Sequence, residues 1–517
     1  MSETKNIEER MEIRMAVETL KDIVKYAANT YGEQAAYRYK LKKEIAEKTY
    51  NELYKDSMAI SRMVEAFGLK GKHVALIGTT TYQWISSYFG ITCSASVAVP
   101  IDAQLPADAI CELLNRADVE MLFYDEIRKD VVAAVKESCP QIQKIISLQA
   151  EEEADGILSW KKLVEEHQGE YDTEINPEQL CTLLFTSGTT GKSKGVMLSH
   201  RNLTDNATCL DMKIPVGTVS MTLLPINHVY CLTMDIIKGI YIGVTSCIND
   251  SIMHVQKNLK LFQPELVLLV PLVIESIYTK LKAAGNLIPK KMVAKQAFGG
   301  RLKTICSGGA YLDPDYVDKF AEYGITILQG YGMTECSPVI SNNLEWDNRK
   351  GSVGKLLPNC EGKIVDEEIW IKGSSVMMGY YKMPEETAEA LEDGWLKTGD
   401  LGYIDEDNFV YITGRKKNLI ILANGENVSP EEIENQISKA DLVKEIIVRE
   451  KDKVIQAEIF PDYEYAKKKR IRDIPAKLQE ILDEYNSTAP VYKRVLDLVV
   501  RETEFQKNTS KKIIRHN

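Results

Sequence analysis

Among the ten cysteines there is no Cys-x-x-Cys pair, and none follows Cys360 in a chain of 517 residues. That distribution suits neither a zinc site nor a disulfide framework, and points to a reducing, cytoplasmic setting. Positive charge is in short supply: 64 Lys and Arg stand against 75 Asp and Glu, a net charge of −11. A nucleic-acid-binding face, which needs a basic surface, is therefore not expected. No apolar run reaches the ~20 residues that cross a bilayer. The most apolar stretches, "LFQPELVLLVPLVI" and "ISSYFGITCSASVAVPI", are broken by Pro, Gly and Ser. The opening "MSETKNIEER" is too charged for a secretory signal. Low-complexity tracts, internal repeats and amphipathic basic helices of the membrane-surface kind are missing too.

What remains is a soluble globular composition, 44% apolar and 27% charged, in a chain too long for one ordinary core. Val17, Leu20, Ile23, Val24 and Ala27 recur at helical spacing until Tyr31-Gly32 stops the pattern. Beyond that point short apolar runs alternate with longer amphipathic ones. "HVALIG", "LLFTS", "LVLLVP", "TICSGG" and "ITILQGYG" read as buried strands, several ending in Gly or a small polar residue. Such alternation predicts a doubly wound α/β fold, with ligands gathered at the carboxyl ends of strands. Past Gly414 the pattern changes. "NLIILANGENVSPEEIENQI" reads as a strand, a turn at Asn424-Gly425 and a helix. Ser429 is placed to cap that helix, Pro430 suits its first position, and Glu432 would complete a capping box. "KEIIVRE" and "VIQAEIF" predict a strand pair, followed by a helix from about Tyr463 to Tyr485 and a last strand, "DLVV". The expected architecture is a large N-terminal α/β domain over 1–414, a hinge at 415–417, and a small α+β domain over 418–517.

The stretch "TSGTTGKSKG", Thr186 to Gly195, follows an apolar run directly. Glycines let successive backbone N–H groups converge on an anion, while hydroxyls and lysines add donors and charge. A Walker loop would need Gly where Thr186 stands, so the ordinary nucleotide-triphosphatase pattern fails at that residue. The longer segment "LLFTSGTTGKSKGVMLSH" instead resembles the signature of the adenylate-forming (AMP-binding) superfamily of acyl- and aryl-CoA synthetases, peptide-synthetase adenylation domains and luciferases. Further motifs of that family follow in order: "LLPINHVY" (223–230), "SGGAYLDP" (307–314), "LQGYGMTE" (328–335) and "GSVG" (351–354). "GWLKTGDLGYIDEDN" (394–408), "GRKKNLIILANGENVSPEEIE" (414–434) and "NTSKKIIR" (508–515) complete the series. The resemblance runs from about residue 20 to the end.

The resemblance implies a reaction in two halves. A carboxylate attacks the α-phosphorus of ATP to give an acyl-adenylate and pyrophosphate, and a thiol then displaces AMP. It implies that Thr186, Ser187, Gly188, Thr189, Thr190 and Lys192 hold the ATP phosphates. Glu335, with Thr186, would bind Mg²⁺, and Thr334 would touch the α-phosphate. Tyr331, between Gly330 and Gly332, would lie against adenine beside the backbone of Gly308, Gly309 and Ala310. Asp400 would take the ribose hydroxyls and Arg415 a second ribose or phosphate contact. Lys512 would neutralise charge in the first half-reaction, with Lys511 as the other candidate because many members have Gly-Lys there. Lys417 would be the hinge. Gly425, Glu426 and Asn427 would line the thiol channel, with His228 where acyl pocket and channel meet.

Amino-acid activators carry an Asp to pair the substrate ammonium, whereas Val229 follows His228 here and the neighbouring "CLTM" is apolar. An unpaired buried ammonium is costly. The motifs look most like bacterial medium- to long-chain fatty acyl-CoA synthetases, with a carboxylic acid, ATP and CoA as substrates. Two alternatives stay open: an acyl-AMP ligase that loads the phosphopantetheine of a carrier protein, and an aryl-CoA ligase. A non-catalytic scaffold is disfavoured by the presence of Glu335 and Lys512. A fatty substrate leaves peripheral membrane contact open.

Overall fold

The computed structural model describes residues 17–42, 44–186, 193–284, 288–422, 427–451, 454–507 and 513–515. The chain divides into two compact units. The smaller contains Lys363–Trp370, Lys397–Glu406 and the described residues from Val410 onward, and the larger contains the rest. The fold is the expected mixed α/β type.

In the larger unit the buried apolar runs become two sheets of mainly parallel strands. One, of eight described strands, runs in the order Gly379–Tyr380, Lys194–Ser199, Leu180–Thr186, Val97–Ile101, His73–Ile77, Val119–Tyr124, Lys144–Ser147, Ile157–Ser159. The other has nine described strands. Its centre consists of Thr326–Gly332, Thr304–Ser307, Leu266–Leu269, Val219–Thr222, Thr245–Ile248 and Ala35–Leu41, each parallel to the next in that order. Helices cover these sheets, so the strands are buried on both faces and read as continuous apolar runs. Val74 to Ile77 and Leu266 to Leu269 are buried throughout. Each sheet has its own core. Ile77, Val99, Leu122 and Leu183 centre the first, and Met221, Val267, Ile305 and Ile327 the second.

The first described helix, Leu20–Tyr31, starts at a capping box between Thr19 and Asp22. Gly32 ends it at φ +43, where a side chain would be strained. Its Leu20 N–H donates to Nδ1 of His200 at 3.2 Å.

The smaller unit ends in a three-stranded sheet, Val443–Lys451, Val454–Pro461 and Val495–Val500. The helices Pro430–Ile437 and Ile474–Thr488 pack on it through Ile433, Ile437, Leu478 and Leu482. Two local expectations fail. The helix expected over Tyr463–Tyr485 is two helices, Tyr463–Lys469 and Ile474–Thr488. Arg470 ends the first at φ +58, and Asp473 caps the second by accepting from Ala476 N–H at 2.9 Å. Pro475 in the first turn then suits a helix start and would have broken a continuous helix. The capping box at Ser429 and Glu432 does not form. Ser429 Oγ lies instead 2.9 Å from the Thr413 carbonyl and 3.1 Å from Glu431 Oε2, while Glu432 accepts from Lys493 at 2.7 Å.

His200 is fully buried, and burial alone pushes its pKa down to about 3. Because the folded state holds it neutral, its contribution is complete above pH 6.5 and is lost as pH falls toward 3. His200→Asn is therefore expected to lose about 3 kcal/mol less stability than the parent between pH 6.5 and pH 4. Denaturant titrations at several pH values check this, and equal pH slopes in the two proteins would overturn it.

Candidate functional site

The chain leaves Thr186 at the end of a strand and is back in register by Lys194, which pairs with Thr186 across an antiparallel ladder. A Walker loop runs from strand to helix; here the residues after the loop form another strand, Lys194–Ser199. Arg116 holds the exit of the loop, its Nη2 donating to the Ser193 carbonyl at 2.6 Å while its guanidinium covers the Phe185 ring.

The far edge of Lys194–Ser199 pairs with Gly379–Tyr380, placing Tyr380 opposite Val196. Lys194 Nζ lies 4.7 Å from the centroid of the Tyr380 ring, and the Tyr380 hydroxyl donates to Glu335 Oε1 at 2.8 Å. The structure thus links Thr186, Lys194, Tyr380 and Glu335 in one set. Burial, reinforced by the Glu335 carboxylate, raises the Tyr380 hydroxyl well above its ordinary pKa, so it remains a donor. Thr334 and Glu335 lie in a short 3₁₀ turn, Thr334–Cys336, with no side-chain cap at its start, so Thr334 is no helix cap.

Buried amides hold that turn in place. Asn206, 1% exposed on the helix His200–Thr208, donates to the carbonyls of Cys336 (3.1 Å) and Val339 (2.8 Å) and to Ser375 Oγ (3.0 Å). Its Oδ1 accepts from Val339 N–H at 3.2 Å. Asn202, one turn earlier, donates to the carbonyls of Ser374 and Val376, and Met377 N–H donates to the Glu335 carbonyl.

Three further motifs of the larger unit lie at the carboxyl ends of neighbouring parallel strands. Ser307 pairs with Leu269 on one side and Gln329 on the other, so Gly308-Gly309-Ala310 follow their strand beside Gly330-Tyr331-Gly332, which stay in the sheet by pairing with Val339–Asn342. His228 follows the parallel strand Val219–Thr222 and is half-buried. Tyr230 donates to the Cys306 carbonyl at 3.2 Å, and a Cβ on Gly308 would come within 3.0 Å of its ring. The glycines of "GYG" answer to the hairpin. A Cβ on Gly332 would lie 1.9 Å from the Pro338 carbonyl oxygen, and one on Gly330 2.7 Å from Asn342 Oδ1.

In the smaller unit Asp400 and Arg415 are cross-strand partners, with Arg415 Nε 2.7 Å from Asp400 Oδ1. Asp400 is buried and its N–H donates to Thr398 Oγ1 at 3.1 Å. Glu368, also buried, accepts from Gly399 N–H at 2.9 Å and from Lys416 Nζ at 2.8 Å. It ties "KTGD" to "GRKK". Lys417 lies in the turn Lys416–Asn418, where burial, with Arg415 beside it, depresses its pKa. Asn427 heads a short strand paired with Ile421. Ser187, Gly188, Thr189, Thr190, Lys192, Gly425, Glu426, Lys511 and Lys512 lie outside the described residues.

Arg116, Lys194, Asn206, Glu368 and Tyr380 carry no role in the sequence reading. Lys194 sits inside the quoted loop motif, and Tyr380 lies in "SVMMGYYKMPEET", a stretch outside the quoted motifs. Nothing local marks the other three.

The family description "AMP-binding enzyme" matches residues 24–381, and "AMP-binding enzyme C-terminal domain" matches 417–517. The chain belongs to the AMP-binding enzyme family. Among curated relatives, this AMP-binding enzyme is 27% identical over 498 residues to long chain acyl-CoA synthetase 7, peroxisomal, of Arabidopsis thaliana, covering 83% of this chain and 71% of that protein. It is 28% identical over 484 residues to the long-chain-fatty-acid–CoA ligase of Bacillus subtilis, covering 84% and 83%. Its fold matches a crystal structure of an anthranilate CoA ligase in complex with anthranoyl-AMP, with a TM-score of 0.83, 20% identity and 96% of each chain covered.

Asn206→Ala would leave two buried carbonyls and one buried N–H unpaired, and is expected to cost about 2–4 kcal/mol. Thermal denaturation measures this, and a melting temperature equal to the parent's would overturn the clamp.

Proposed function

We propose that this AMP-binding enzyme is an ATP-dependent acid–thiol ligase that converts a fatty acid to its acyl-adenylate and then to acyl-CoA. The observation that carries the reading is the linked set of Thr186, Lys194, Tyr380 and Glu335: a glycine-rich loop between antiparallel strands with a carboxylate beside its exit. The named activities of the Arabidopsis and Bacillus relatives support a fatty acid and CoA. So do the buried apolar residues Val229, Cys231 and Leu232 after His228, which set no carboxylate directly beside it.

In the first half-reaction a carboxylate oxygen bonds to the α-phosphorus as the bond to pyrophosphate breaks. We assign the β- and γ-phosphates to Thr186, Ser187, Gly188, Thr189, Thr190 and Lys192, and the α-phosphate to Thr334. Tyr331 lies against the adenine, with Gly308, Gly309 and Ala310 along its edge; Gly330 and Gly332 let Tyr331 sit in its tight hairpin. Asp400 accepts the ribose hydroxyls, oriented by Arg415. Lys512 meets the charge that develops between carboxylate and phosphate.

Among the described residues no three His, Cys, Asp or Glu side chains gather into a metal cage. Mg²⁺ is ordinarily held by one or two carboxylates together with substrate phosphates. A single Glu335 carboxylate with the Thr186 hydroxyl fits an ion of that kind. Bound there, Mg²⁺ would offset the charge of the ATP phosphates.

In the second half-reaction the CoA thiolate bonds to the acyl carbon and AMP leaves. Gly425, Glu426 and Asn427 would line the thiol's approach, and His228 the junction with the acyl pocket. We place the domain boundary after Gly414 and a hinge at 415–417, with Lys417 taking the backbone change between half-reactions. Ten cysteines, nine of them buried and none in a disulfide, support a reducing, cytoplasmic site of action. No helix among the described residues is long and apolar enough to cross a membrane.

The test is mass spectrometry of products from ATP, Mg²⁺ and a graded panel of fatty and aryl acids, with and without CoA. Acyl-CoA and AMP that peak with one fatty chain length are expected. Acyl-adenylate that never passes to CoA would overturn the choice of acceptor in favour of a carrier-protein thiol. Lys512→Ala is expected to slow adenylate formation by on the order of 10²–10³ while sparing thioester formation from supplied acyl-adenylate. Tyr380→Phe, which frees one Glu335 oxygen, is expected to weaken Mg²⁺-dependent adenylation by roughly 10- to 100-fold. A Mg²⁺ titration equal to the parent's would remove Tyr380 from that role.

A further inference from the structure

The chain on either side of 508–512 is anchored to the smaller unit. Upstream, Phe505 packs on Ile447 and Phe460, and its N–H donates to Glu445 Oε2 at 2.8 Å. The Lys507 ammonium pairs with the same buried carboxylate. Downstream, Ile513 joins that apolar cluster and pairs with Lys507 in an antiparallel bridge, while Ile514 N–H donates to the Gln506 carbonyl at 2.9 Å.

Two residues after Ile513, the Arg515 guanidinium grips Glu434 with both prongs: Nη1 to Oε1 at 2.7 Å, and Nη2 to Oε2. Glu434 is 7% exposed on the helix Pro430–Ile437, and its Oε1 also accepts from Val448 N–H at 2.6 Å. Arg515 Nη2 lies 3.6 Å from Glu431 Oε1, the oxygen that also takes the Asn418 amide. One guanidinium thus joins the end of the chain to a helix, to a sheet strand and to the residue after Lys417.

A solvated basic tail needs no buried carboxylate, and burying one is costly unless it is paired. A two-pronged Arg–carboxylate pair fixes direction as well as distance. We propose that Arg515 is a positioning residue of the adenylation half-reaction, its clamp on Glu434 setting where Lys512, three residues upstream, is presented. This rests on the role assigned to Lys512 above.

The test uses the full-length enzyme and two assays: acid-dependent exchange of pyrophosphate into ATP, and thioester formation from supplied acyl-adenylate and CoA. Arg515→Ala is expected to slow exchange by roughly 10- to 100-fold and to leave thioester formation within about twofold. Arg515→Lys, which keeps a cation beside Glu434 but loses the fork, should fall between; it carries the test if Arg515→Ala does not fold. In Lys512→Ala, adding Arg515→Ala should cause no further loss of exchange, because the two act through one group. Additive losses in that double variant, or equal falls in both assays for Arg515→Lys, would overturn the proposal. A slow Lys512→Ala beside an unimpaired Arg515→Ala overturns the clamp alone. Lys512→Ala exchanging at the parent rate overturns the reading of Lys512, and the clamp's role with it.

Discussion

Hydrogen bonding along both edges of the strand Lys194–Ser199 assembles the candidate site of the larger unit. One edge pairs with Leu180–Thr186 and sets where the glycine-rich loop begins and ends; the other pairs with Gly379–Tyr380 and brings in the tyrosine that holds Glu335. Side chains alternate along a strand, so a slip of one residue on either edge would turn Tyr380 or Thr186 to the opposite face. The loop and the carboxylate are about 150 residues apart in the chain, yet their relative position depends on two short ladders. A Cβ at Gly195 would crowd Leu183, Phe185 and Tyr381, which leaves that strand little freedom to shift.

The helix after this strand completes the arrangement with polar groups. Asn202 and Asn206 are buried amides whose hydrogen bonds go to backbone that is not itself in a regular ladder around Cys336, Ser374 and Val376. Irregular backbone beside a site cannot pair with itself, and buried carbonyls left unpaired are costly. Side-chain amides solve that problem and fix the turn containing Thr334 and Glu335. The same helix begins with His200, whose Nδ1 takes the first N–H of the helix Leu20–Tyr31. One nine-residue helix therefore ties the helix Leu20–Tyr31 to the strand Lys194–Ser199 and the Glu335 turn.

The strands of both sheets were legible because a parallel strand covered on two faces must be apolar at every position, as in "LVLLV" and "HVALI". The loop was legible because glycines and hydroxyls after such a run have few structural uses. What could not be read are contacts made by chain reversal. Tyr380 and Glu335 are 45 residues apart, and neither has a local pattern that announces the other. Asn206 looks like any polar helix residue. The local misreadings have the same origin: Ser429 carries a valid capping signal, but the Thr413 carbonyl and Glu431 claim its hydroxyl. In "KKKRIRDIPAK" the helical pattern continues past the point where Arg470 turns left-handed and Asp473 starts a new cap.

The smaller unit solves its problem with charge. Asp400 with Arg415, Glu368 with Lys416, and Glu434 with Arg515 each set a buried carboxylate against a cation on another segment of the same unit. Removing one partner from such a pair strands a charge, so the pairs resist partial opening even where they add little net stability. Pairs that close entirely within the unit hold Asp400 against Arg415 and the segment 513–515 against the helix Pro430–Ile437. On this argument the ion pairs make the small unit rigid: they fix its segments on both sides of the short turn Lys416–Asn418.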